Sequence, residues 1–298
     1  MGTEFSWFYD AVTAALLLVF IYVGGKRGFI RSFIMIAGYL LSFAAAYFIS
    51  DTATPVVYEK FAQDKIVSII EDKIENINIT SEVKNALDLD ALGITVQDEE
   101  IRGLISSNSG DLSQDIQSFV AEKSGGTEIS KSDIDEKLQS VFSNSMVTSF
   151  LDGLPASIMD AWNTYIQKSS RVVSDTLRVL NASKTDAAKF VEVNIVREPL
   201  IQAMQLLIFI VVFTFALFIV KMIARLFSGF NRVPIAGSIN ALLGAALGLL
   251  QGLVVVLLIA LILHVLIFLS SNEMIVINTQ TIDNTYLFKL FYHYDLLK

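Results

Sequence analysis

The sequence predicts an all-α integral membrane protein: four transmembrane helices in two hairpins, with a mainly helical extracytoplasmic domain between them. Three observations lead there. Apolar residues make up 53% of the 298 residues and gather into four stretches, each near the roughly 20 residues a helix needs to cross a hydrocarbon core. Basic residues cluster in the two short turns that join those stretches pairwise. The polar segment between the pairs repeats its apolar residues near the helical period.

The first pair has apolar cores at 8–23 and 33–49, and the second at 200–220 and 239–269. From Leu206 to Val220 there is no charge and almost no polar group, a pattern that has no place beside water. Lys26, Arg27 and Arg31 lie in the first turn and Lys221, Arg225 and Arg232 in the second, with no acid in either. That bias marks both turns as cytoplasmic and places both termini and the central segment on the far side. The chain divides accordingly into a first hairpin (1–50), an acidic extracytoplasmic domain (51–197), a second hairpin (198–270) and an extracytoplasmic tail (271–298). The amino terminus lacks a basic region and a small-residue cleavage site, so the first span is expected to be retained.

The central 147 residues hold 24 acids and 14 bases, a net charge of −10 against −8 for the whole chain. Such a surface repels nucleic acid and is either simply solvated or suited to cations and basic peptides. Val57, Phe61, Ile66, Ile70, Ile74 and Ile77 form one stripe for burial, and Ile158, Trp162, Tyr165, Val173, Leu177 and Leu180 another. Thr95 before Asp98 and Glu99, and Ser130 before Asp133, read as helix starts, because a hydroxyl caps free amides and early acids meet the positive end of the dipole. Pro155 suits a first helical turn. Zero cysteines exclude disulfides, thiol catalysis and cysteine metal sites.

In the fourth stretch Gly244, Gly248 and Gly252 recur every four residues and stack on one helical face. In lipid there is little hydrophobic force between helices, so close backbone packing has to hold them together. Gly38, Ser42 and Ala46 make a similar small stripe on the second span, and the two stripes are expected to pack on each other or on copies of themselves. At 31 residues, or about 46 Å, the fourth stretch outruns the hydrocarbon core. It must tilt, protrude or break, and its glycine end is the natural break. Gln251 and His264 lie within it and are candidates for a polar path, or else for helix-to-helix hydrogen bonds.

Catalytic chemistry has little to work with. There are two histidines, His264 and His293, no phosphate loop and no paired histidine spacing for zinc. No catalytic residue, cofactor or metal is expected, and the protein is not expected to be an enzyme.

Asp10 entering the first span, the turn "GGKRGFIRS", and "PIAGSINALLGAALGLLQGL" opening the fourth together resemble the colicin V production protein family. The resemblance covers 8–50 and 200–269, with the family pattern falling on Asp10, Arg27, Gly28, Pro234, Gly237, Asn240, Gly244, Gly248 and Gly252. It implies a multi-pass bacterial inner-membrane protein linked to colicin V or toxin production or export and to envelope upkeep. The long central insert departs from short members of that family. Some relatives carry a serine protease after the membrane part, and the 29 residues after Leu269 are too few for one. The leading expectation is an accessory or scaffold protein whose partners are the bilayer and a membrane or envelope protein or its own copies, with no nucleic acid. The alternative is a small homo-oligomeric transporter or channel.

Overall fold

The computed structural model describes residues 3–74, 77–107, 111–126, 129–142, 155–226, 237–270, 272 and 274–294. All regular structure among them is helical. The chain opens with α1 (Ser6–Arg27) and, after the single residue Gly28, α2 (Phe29–Val57). The central region follows as α3 (Gln63–Ile74), α4 (Ile79–Leu87), α5 (Asp98–Ser106), α6 (Leu112–Lys123), α7 (Lys131–Val141), α8 (Ala156–Ile166), α9 (Ser170–Ala182) and α10 (Lys184–Val191). Next come α11 (Arg197–Leu226) and α12 (Gly237–Leu269), and the tail adds two short helices, α13 (Thr279–Asp283) and α14 (Lys289–Tyr292). Four of the helical stretches are long and apolar enough to cross a membrane: Ser6–Arg27, Phe29–Ile74, Lys184–Ile223 and Gly237–Leu269.

The chain forms two compact units, Met1–Val57 with Ile201–Lys298, and Tyr58–Leu200. The second unit has an apolar core of its own, with Ile70, Leu87, Ile105, Val120, Leu138, Trp162 and Leu177 all at most 2% exposed. Its helices are started by side-chain caps. Asn78, Asp111, Ser130, Ser169 and Ser183 each accept the amide three residues on, which satisfies donors that the first helical turn leaves free. The expected start at Thr95 falls two residues late: Gln97 is the cap of α5, and Glu100 reaches back to the Gln97 amide at 3.0 Å. The paired bonds of that capping box outweigh a lone threonine hydroxyl further upstream.

Two π-helical turns, Tyr58–Ala62 and Glu192–Val196, stand where the chain enters and leaves this unit. A π turn carries one extra residue, which rotates everything after it. Phe61, expected on the buried stripe, is 70% exposed as a result, and Tyr58 is buried instead. Tyr58 Oη donates to Glu192 Oε1 at 2.7 Å, and Arg197 pairs with Glu59 at 2.9 Å. Entry and exit of the unit are thus tied side chain to side chain. Glu192, only 1% exposed, keeps a hydrogen-bond partner, as a buried carboxylate must.

In the first unit, α12 is the central element. It runs unbroken through all 33 of its residues, so its glycine end is not a break. The helix stays continuous because another backbone fills the space its glycines leave open.

Candidate functional site

That other backbone belongs to α1. A Cβ added at Gly24 would stand 2.7 Å from Gly248 Cα, and one at Gly244 would stand 2.5 Å from the Gly24 carbonyl oxygen. A Cβ at Gly248 would collide with the Phe20 carbonyl and lie 3.0 Å from Gly24 Cα, while one at Gly252 would meet Leu17 and Phe20 at 3.1 Å. The contacts descend α12 as they climb α1, so the two helices are antiparallel along a seam where backbone meets backbone at Gly24, Gly244 and Gly248. Gly244, Gly248 and Gly252 are all buried.

The expected partner stripe does something else. Gly38 faces Val220 of α11, and Ala46 lies in a cluster with Met35, Tyr39, Phe209 and Phe213. Ser42 is buried, and its hydroxyl finds no hydrogen-bond partner among the described residues. Large rings fill this side: Phe43 and Phe209 meet edge to face at 5.3 Å, and Phe209 stacks on Phe213 at 5.7 Å. Bulky rings keep α2 and α11 at a distance that glycine-to-glycine contact would not allow.

Polar side chains tie the seam at three depths. At one end Gly28 adopts φ +77°, open to glycine and strained for other residues. A Cβ there would also lie 2.7 Å from the Asn240 amide nitrogen. Asn240 Oδ1 accepts the Phe29 amide at 2.7 Å, capping the first turn of α2 from another helix. Asn240 sits in the first turn of α12. In the middle, Gln251 Nε2 donates to the Ser32 carbonyl at 3.0 Å, and Ser32 Oγ donates to the Gly24 carbonyl at 3.2 Å. Both bonds are buried, where an unpaired amide would be costly.

At the other end stands Asp10. Its carboxylate accepts the amides of Tyr286 at 2.7 Å, Leu287 at 2.8 Å and Phe288 at 2.9 Å. Bonds from three neutral donors to one charge are strong, and they latch the tail onto α1. Tyr9 Oη adds a bond to the Val276 carbonyl at 3.0 Å, and Tyr9 packs on Phe288. The tail is no loose appendage: Ile282, Phe288 and Tyr292 form a core with Val256, Ala260, Leu263 and Ile267 of α12. His264 belongs to this end. It bonds the Ala260 carbonyl at 3.3 Å and stacks on Tyr292 at 3.8 Å.

Gln251 and His264 do not meet. Thirteen residues separate them, about 20 Å along the axis, and each is engaged with a different neighbour. Among the other residues singled out from the sequence, Lys26, Arg27, Lys221 and Arg225 are exposed, Arg31 is half-buried, and Gly237 opens α12 at φ +40°. Arg232 and Pro234 lie outside the described residues. Sequence reasoning missed Gly24, Ser32 and the whole tail. Gly24 and Gly28 are themselves four apart, which was the available signal, hidden because the glycines were read as a turn.

Four helices long and apolar enough to cross a membrane, with α1 and α12 joined through glycine, give the chain the character of a helical membrane protein. Within it, residues 186–293 match the model of the family described as colicin V production protein. That stretch takes in α11, α12 and the tail, and so includes the glycine stripe, Asn240 and the three amides that hold Asp10. No curated protein and no solved structure matches the chain.

Proposed function

We propose that this protein is an accessory or scaffold component of a bacterial cytoplasmic membrane, acting in toxin production or export and in envelope maintenance through contacts of its central domain. The observation that carries this reading is the fate of the polar groups in the membrane unit. Asp10, Ser32, Asn240 and Gln251 all bond backbone groups that hold helix to helix, which supports architecture over transport or catalysis. The family match supports the link to colicin V production. The basic turns support a cytoplasmic Lys26–Arg31 turn, with both termini and the acidic domain outside. A carboxylate-rich surface facing the envelope suits a partner with basic patches.

The test is photo-crosslinking in native membranes, with photoreactive residues placed across 58–200. Capture of one stoichiometric membrane or envelope protein is the expected result. Capture of nothing but copies of this chain would replace the scaffold with a homo-oligomeric transporter and send the work to flux assays in liposomes. A deletion of 58–200 that retains full function would also remove the scaffold reading.

A further inference from the structure

At the Asp10 end of the seam the tail packs against both α1 and α12. A cavity of about 290 Å³ lies there, walled by Phe8, Val12 and Leu16 of α1, by Ile259 and Leu263 of α12, and by Ile277 of the tail. Its size sits at the lower edge of the range for small-molecule pockets, yet it lacks the convergent polar groups such pockets use to orient a ligand. Of its two lining hydroxyls, that of Tyr9 is already bonded to the tail and the other belongs to Thr13.

We propose that this cavity holds one acyl chain of a phospholipid from the leaflet on the Asp10 side, gripped beneath the tail. Three observations argue for that occupant over a soluble ligand or a protein segment. Two walls belong to helices long and apolar enough to cross a membrane, and the lining is almost wholly apolar side chains. In the same segments of α1 and the tail, the aromatic residues Trp7, Phe8, Tyr286 and Tyr294 are all more than half exposed, the residue type enriched at headgroup depth. Lys289, which follows the lining residue Phe288 and sets its ammonium 5.9 Å from the centre of the Tyr286 ring, is a cation available to a lipid phosphate. Asp10 then has a second consequence. By latching Tyr286, Leu287 and Phe288, it keeps the roof on the site.

The proposal requires the four-span insertion but not the scaffold role. The full chain is reconstituted in vesicles of phosphatidylethanolamine and phosphatidylglycerol that carry a trace phospholipid with a diazirine on its acyl chain, then irradiated and mapped by peptide mass spectrometry. Adducts at Val12, Ile259 and Ile277 should exceed those at Val211 and Phe215, the exposed face of α11, at least fivefold. Ile259→Trp, which fills the cavity, and Asp10→Ala, which frees its roof, should each bring the cavity adducts down to the α11 level. Native mass spectrometry of the wild-type chain in mild detergent should retain one phospholipid, which keeps the test open if a variant does not fold. Equal labelling of cavity and α11 face together with no retained lipid would overturn the site. No labelling on α11 either would overturn the membrane insertion on which the site rests.

Discussion

Two of the helix interfaces in the membrane unit use opposite means. Between α1 and α12, backbone meets backbone at Gly24, Gly244 and Gly248. Between α2 and α11, side chains meet at Phe43, Phe209, Phe213 and Tyr39. Lipid tails are as apolar as either surface, so neither interface forms by escape from water. The first gains from many short contacts and has no room to relax. The second gains from ring packing, about 0.5–1.5 kcal/mol per pair beyond area, and can adjust by turning a rotamer. One interface fixes register and the other fills space.

The sharpest way to break this comparison is Gly248→Leu. The side chain has only the Phe20 and Gly24 backbone in front of it, so the seam should open, with a loss of roughly 3 kcal/mol or more and collapse of the thermal transition in detergent. Asp10→Ala comes next. It strands three amides of the tail, an expected loss of about 2–4 kcal/mol, read as rapid proteolysis of 274–294 while α1 and α12 stay paired. Gly38→Ala probes the ring-filled side with one methyl. Its obstacle is the Val220 side chain, which can rotate away, so about 1 kcal/mol is expected. The same methyl at Gly248 should cost clearly more, and equal losses at the two glycines would erase the distinction drawn here.

Gln251→Leu removes one buried bond to the Ser32 carbonyl, for an expected loss of about 0.6 kcal/mol. Assembly should survive it; abolished flux with intact assembly would instead favour a transporter. The smallest effect belongs to the central unit. The hydrogen bond from Lys131 holds the Asp111 carboxyl below its ordinary range. What the pair adds is therefore present at neutral pH, above the unfolded value, and is lost as pH falls through the depressed folded one. Lys131→Ala should leave the membrane unit unmoved and make only the central unit's unfolding less dependent on acid and salt.

Much of this was legible in residue order. Four apolar runs and a helical central domain followed from composition and period, and Ser130 and Pro155 marked helix starts where helices begin. The glycine stripe was visible as well, since its spacing is a property of one helix. Its partner was not, because Gly24 lies 220 residues from Gly244 and no local pattern links them. Phe61 misled because a π turn breaks the period on which stripe counting depends. The tail escaped because helices of five and four residues are too short for periodicity to register, and their anchor at Asp10 lies some 278 positions away.

Those separations set a timetable. The Phe29 amide finds Asn240 across 211 positions, Ser32 finds Gln251 across 219, and Asp10 finds Phe288 across 278. At ribosomal speeds of about 5–20 residues per second, the last of these waits roughly a quarter of a minute to a minute after Asp10 is made. During that interval α1 rests in the bilayer with a bare glycine face and an unclaimed carboxylate, while the whole central domain is synthesised between it and its partner. α1 is made before the partners that complete it and is among the last helices completed. An insertion machinery that shields polar groups during that delay therefore matters more for this chain than for a bundle whose neighbours arrive in sequence.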